Sequence, residues 1–291
     1  RDCSLAVDMM DPDLAWATYL LASWWGGELP APADSTDPAA VVDRLRRNGV
    51  PLLTLAGDMR PAAAALLASE SFRAALELDR ARMAGQQATF AEIAAAWRGA
   101  GIPALYVKAL GPQPVFPYVS NNLDVLVPQA QQDRARKIVR DMGYVELRHI
   151  EEPNKFLLRR YHLGESAFDI HIHGRLEWHT EFVDSPAAFR AARPRDDDPA
   201  FYPSAADGVL IALAHAVYEN KALKLIEPAK VIYAARVLHV DWNAVMAGAN
   251  RRGWLPGLWF ALTLCAGWEE QLYGTASLPA DVRSAAAEGT P

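Results

Sequence analysis

Two short segments in which apolar and polar residues alternate constrain this chain more than anything else in it. Asn122-Leu123-Asp124-Val125-Leu126-Val127 and Phe168-Asp169-Ile170-His171-Ile172-His173 both carry the period of two that a strand imposes on its side chains. Alternation sends Asn122 and Asp124 to one face of the first strand, and Asp169, His171 and His173 to one face of the second. If the strands are neighbours in one sheet, two carboxylates, an amide and two imidazoles converge. Carboxylate and amide oxygens are hard donors of the kind that hold Mg²⁺ while phosphate oxygens complete its shell. The two segments therefore predict a half-buried sheet with a divalent-cation site on its polar face.

The rest of the chain changes grammar around these strands. Before residue 100 the spacing predicts helices: Leu14 to Trp25, Pro38 to Arg47, Ala62 to Ala84 and Gln87 to Arg98. Asp37 is placed to cap the second with Pro38 in its first turn, and Gly49 to stop it. Strands are expected at Ala104 to Val107, Leu123 to Val127, Tyr144 to His149, Phe156 to His162 and Ala167 to His173. An amphipathic helix from Gln129 to Met142 interrupts them, and Gly164-Glu165-Ser166 is read as the turn between the last two strands. Three prolines and Asp196-Asp197-Asp198 make Ala191 to Pro203 a surface loop by expectation. Helices resume over Ser204 to Leu238, Trp242 to Arg251 and Leu255 to Tyr273. The expected organisation is an α+β core over 101–190 between helical regions at 1–100 and 191–291.

Composition excludes several functions. A formal charge of −6 lacks the basic face a general nucleic-acid binder needs to displace counterions. With only two cysteines, Cys3 and Cys265, there is no disulfide framework and no paired-cysteine zinc spacing, which fits a reducing, cytoplasmic setting. The most apolar stretches, Ala15 to Trp25 and Leu255 to Gly267, are shorter than the roughly 18 to 20 residues of a membrane span. No membrane partner is expected, and the sequence is silent on oligomeric state.

Four motifs in order extend the strand pattern into a family resemblance. Gly101-Ile102-Pro103-Ala104-Leu105-Tyr106-Val107-Lys108, then Asn122-Leu123-Asp124-Val125-Leu126-Val127, Met142-Gly143-Tyr144 and Phe168-Asp169-Ile170-His171 resemble the "GIP…LKG", "DIDLLV", "lGY" and "iEiHW" of the uncharacterised nucleotidyltransferase family within the DNA polymerase β superfamily. The likeness runs over roughly 85–275 and includes His215, Lys221 and Lys224 in the C-terminal helices. It implies a polymerase β-like palm, a mixed sheet with flanking helical regions. Its implied activity is the transfer of a nucleoside monophosphate, AMP from ATP by default, to a hydroxyl or phosphate of a small-molecule or peptide acceptor in natural-product biosynthesis. The implied cofactor is Mg²⁺, with Mn²⁺ as a substitute, beside ATP or another nucleoside triphosphate.

Residue by residue, the resemblance assigns metal binding and catalysis to Asn122, Asp124 and Asp169. Nucleotide contacts fall to Lys108, Ser120, Asn121, His171, His215, Lys221 and Lys224. Three departures weaken the match: Asn122 stands where the family has its first Asp, Ala109 follows Lys108 where a Gly is expected, and the Arg before the acidic strand is missing. Losing a carboxylate lowers the attraction for dications, so Asn122 marks either a naturally weakened site or an engineered substitution that traps nucleotide. A catalytically silent nucleotide-binding or scaffold protein of the same fold is the alternative. A third reading, metal-dependent hydrolysis, joins His171 and His173 with His179 as zinc ligands. Arg159, Arg160, Arg251 and Arg252 read as solvated faces.

Overall fold

A computed structural model of the chain describes residues 12–32, 37–52, 61–107, 122–147, 154–162, 165–178, 180–195 and 198–289. Contacts divide it into two compact units, each built from separated segments. One joins residues 1–81, 216–242 and 255–291, the other 82–215 and 243–254.

The first unit is helical. Helices α1 (Pro12–Ala22), α2 (Pro38–Arg47) and α3 (Pro61–Ala68) precede α4 (Glu70–Gly99), whose first turns belong here. The Asp37 carboxylate accepts from the Ala39 N–H at 3.0 Å, so α2 begins with the expected cap followed by Pro38. At its end Gly49 takes φ +68°, and the Val50 N–H returns to the Leu45 carbonyl.

The second unit holds the sheet. Its strands are β1 (Leu105–Tyr106), β2 (Asn122–Leu126), β3 (Val145–Leu147), β4 (Lys155–His162), β5 (Glu165–His173), β8 (Arg193–Arg195) and β9 (Asp198–Tyr202), while β6 (Glu177–Trp178) and β7 (Thr180–Glu181) form a separate ribbon. The order is β3-β4-β5-β2-β1-β9-β8. β2 runs parallel to β5 and antiparallel to β1, and β4 runs antiparallel to both β3 and β5. Helix α5 (Gln132–Asp141) connects β2 to β3, α6 (Ser185–Ala191) leads into β8, and α7 (Ala205–Ala214) and α9 (Trp242–Arg251) complete the unit.

One face of this sheet is the core. Leu123 and Val125 of β2, Leu158 of β4, and Ile170 and Ile172 of β5 pack with Phe90, Ile93, Ala94 and Trp97 of α4 and Ala135 and Val139 of α5. Trp97 is fully buried, and its indole N–H donates to the Ala135 carbonyl at 3.1 Å, so the packing leaves no orphaned donor there. Gly101, at φ +71°, ends α4 with the Ile102 N–H returning to the Trp97 carbonyl; this turn feeds the chain into β1.

Several expectations about elements differ from what is observed. The predicted break between Ala84 and Gln87 is absent, because one interior glycine costs a helix only about 1 kcal/mol and α4 has buried side chains on both sides of Gly85. The predicted loop from Ala191 to Pro203 contains the edge hairpin β8–β9. Proline lacks one ladder donor but fits an edge strand, and the Phe201 N–H still donates to the Ala104 carbonyl at 2.9 Å. Glu165 and Ser166 are paired with His162 and Tyr161 in the β4–β5 ladder, so they belong to β5 and not to the expected turn, whose Gly164 lies outside the described residues. The single helix expected from Ser204 to Leu238 is broken: α7 in the sheet unit runs into a π-helical turn (His215–Asn220), and α8 (Ile226–Val237) restarts in the helical unit. Helices α10 (Leu255–Tyr273) and α11 (Ala280–Gly289) follow, the second not anticipated.

Candidate active site

The parallel register of β2 with β5 builds the site. Asn122 lies opposite Asp169 and Asp124 opposite His171, so Asn122, Asp124, Asp169, His171 and His173 share the face away from the apolar core. Strand β4 extends that face, setting Lys155 opposite His173 and Arg159 opposite Asp169. Asp124, His173 and Lys155 are buried.

The Asp124 carboxylate is the hub. Its Oδ1 lies 3.0 Å from His173 Nε2 and 3.2 Å from His171 Nδ1. Its Oδ2 lies 2.9 Å from the Asn122 amide, and the same amide atom is 2.9 Å from His171 Nδ1. The ligating atoms of Asp124, His171 and His173 all fall within 4.8 Å of one another.

The roles in these contacts follow the tautomer of His171. With the proton on Nδ1, His171 donates to Asp124 Oδ1 and the Asn122 amide donates to Oδ2, so the carboxylate is their common acceptor; with Nδ1 bare, its lone pair and that of Oδ1 converge where a cation can take both.

Asp169 has a different partner. Arg159 grips it with two parallel hydrogen bonds, Nε to Oδ1 at 2.7 Å and a terminal nitrogen to Oδ2. The bond to Asp169 holds the guanidinium above its usual pKa. Burial, in contrast, pushes the His173 imidazole below its ordinary value, against the pull of the Asp124 carboxylate and with the help of Lys155 and His171.

Of the residues singled out in the sequence, the structure brings Asn122, Asp124, Asp169 and His171 onto one face. Lys108, Ser120, Asn121 and His179 lie outside the described residues. His215 is half-buried at the start of the π-helical turn, whereas Lys221 and Lys224 belong to the helical unit and are exposed there. Arg159, Arg160 and Arg252, expected as solvated faces, are partly exposed and also paired: Arg159 with Asp169, Arg160 with Glu92, and Arg252 with Glu181 and Asp184. Lys155 was missed altogether. Its signal was the alternation Lys155-Phe156-Leu157-Leu158-Arg159, which sends Lys155 and Arg159 to the face opposite Leu158.

A cleft of about 840 Å³ opens beside the C-terminal ends of β2 and β5. Pro103, Pro128, Phe189 and Phe201 give it apolar walls, and Arg175, Arg190 and Arg252 with Glu181 and Asp184 give it charge of both signs. Its size suits a small organic molecule.

A mixed sheet whose parallel central strands present acidic and imidazole side chains on one face, with helices behind the other, is a nucleotidyltransferase-like palm. Residues 34–269 match the family described as "Uncharacterised nucleotidyltransferase", and the chain belongs to that family. No curated protein and no solved structure matches it. Among the described residues no helix is long and apolar enough to cross a membrane.

Proposed function

We propose that the protein transfers a nucleoside monophosphate, AMP from ATP by default, to a hydroxyl or phosphate of a small-molecule or peptide acceptor, in the cytoplasm and in natural-product biosynthesis. The observation that carries this reading is the β2–β5 register, which aligns Asn122 and Asp124 with Asp169 on one face. Asp124, with the amide oxygen of Asn122 and the carboxylate of Asp169, offers the oxygen donors for a divalent ion. The donor set fits such an ion, since an amide and two imidazoles gather on the buried Asp124 carboxylate. When bound, the ion neutralises phosphate charge and favours the ionised acceptor oxygen. Asp169 is the residue for receiving the acceptor proton, and release from Arg159 would free it to do so. Lys108, Ser120 and Asn121 are assigned to the triphosphate, His171 to nucleotide or metal, and His215, Lys221 and Lys224 to further nucleotide contacts. The acceptor is assigned to the cleft, where aromatic and proline walls with charges of both signs favour a polar, partly apolar molecule.

A silent nucleotide-binding protein is the second reading, favoured by one specific fact. Of the three carboxylate positions on this face, one is an amide and another is neutralised by Arg159. Asn122→Asp separates the two readings. For an enzyme, restoring the carboxylate raises metal-dependent pyrophosphate release from nucleoside triphosphate in the presence of acceptor. A variant that binds triphosphate but never releases pyrophosphate supports the silent reading.

A further inference from the structure

We propose that Asp124, His171 and His173 form a site for one divalent transition-metal ion of zinc-like character, distinct in donor chemistry from a magnesium site. Three observations carry it. The first is the donor set. Magnesium takes oxygen ligands and surrenders its water reluctantly, while imidazole nitrogens select zinc, cobalt, nickel and their neighbours. Two of the three convergent donors are imidazole nitrogens, and the second carboxylate of the face is tied to Arg159.

The second is spacing. An ion about 2.0 to 2.1 Å from each nitrogen and oxygen donor, at tetrahedral or octahedral angles, separates adjacent donors by roughly 2.9 to 3.4 Å. Asp124 Oδ1 lies 3.0 Å from His173 Nε2 and 3.2 Å from His171 Nδ1. The two histidines present different nitrogens, which lets residues two apart on one strand both point at one carboxylate oxygen.

The third is convergence: the Asn122 amide and both imidazoles lie at hydrogen-bond distance from the one buried carboxylate of Asp124. An ion at that point takes a lone pair from Asp124, His171 and His173, and the Asn122 oxygen, with the amide turned over, is the fourth donor. Hydrogen bonds from the two imidazoles to Asp124 are the competing arrangement, and they predict a site with no affinity for metal. Lys155, opposite His173 on β4, is the buried cation working against the ion.

This inference stands without the transfer reading, and its test keeps the two apart. The full chain is stripped with chelator, titrated with Zn²⁺ and with Co²⁺ in millimolar Mg²⁺, and followed by calorimetry, elemental analysis and the visible absorption of Co²⁺. About one ion per chain should bind, with cobalt bands typical of a mixed nitrogen and oxygen site, and magnesium should not displace it. His171→Gln and His173→Gln should each weaken zinc binding by more than the roughly tenfold that loss of even an outer partner costs. Lys155→Met should tighten it, a gain that damage to folding would not produce. Failure of Zn²⁺ and Co²⁺ to bind, or affinities unchanged in both histidine variants, overturns the proposal. A protein that binds zinc but no nucleoside triphosphate keeps this site and loses the transfer reading; one that binds Mg²⁺ and triphosphate but no transition ion does the reverse.

Discussion

The two faces of the one sheet use the same strands for opposite ends. Leu123, Val125, Ile170 and Ile172 point into a dry core against α4 and α5, while Asn122, Asp124, Asp169, His171 and His173, their immediate neighbours, crowd polar atoms together on the other side. The apolar face gains stability from every contact it makes. The polar face buries a carboxylate, an imidazole and an ammonium, groups that are costly to remove from water unless paired. Because side chains alternate, a slip of one residue between β2 and β5 would exchange the two sets, so the apolar face also holds the polar face in register.

That contrast can be broken from either side. The largest expected effect is on the apolar face: Trp97→Ala removes a fully buried indole and should cost about 3 to 5 kcal/mol, read as a lower urea midpoint. Asp124→Asn keeps the shape of the polar face and removes its charge. It should reduce metal-dependent transfer by roughly 10² to 10³-fold, the scale for loss of one electrostatic group at a reacting centre, with a much smaller change in the urea midpoint than Trp97→Ala. If Asp124→Asn unfolds the protein while Trp97→Ala leaves it stable, the division of labour between the faces is wrong.

Smaller changes sharpen the comparison. Arg159→Met releases the Asp169 carboxylate, adding a negative charge to the polar face, and should raise affinity for divalent cations in calorimetric titrations; unchanged affinity would show that Asp169 does not face the ion. The smallest effect concerns pH. Burial holds His173 below the ordinary imidazole value of 6.5, so in metal-free protein the unfolded chain takes up that proton first. Its contribution is complete above that value and is lost as pH falls toward the folded-state pKa. Urea midpoints of metal-free protein should therefore decline on acidification through this window, and His173→Gln should flatten the decline.

The central strands were legible because each shows its own pattern: alternation in Asn122 to Val127 and in Phe168 to His173 fixed which residues share a face. Helix α2 was equally legible, since Asp37, Pro38 and Gly49 act through local backbone chemistry. What could not be read was pairing between distant segments. Arg159 meets Asp169 only because β4 lies antiparallel to β5 in one register, and nothing near Arg159 in the chain announces that. Edge strand β8 was hidden by Pro194, which an edge tolerates, and β9, its inner neighbour, by Pro199 next to its first residue. The cluster at Asp124 lies at the same level, a geometric fact about side chains brought together by two strands.

The most direct measurement is calorimetric titration of nucleoside triphosphates into the wild-type protein and Asp124→Asn, each with a divalent cation and with chelator. Binding that requires the cation and is lost in Asp124→Asn is the expected result, because the triphosphate is held through an ion on this face. No binding of any triphosphate, or binding indifferent to both chelator and Asp124→Asn, contradicts it.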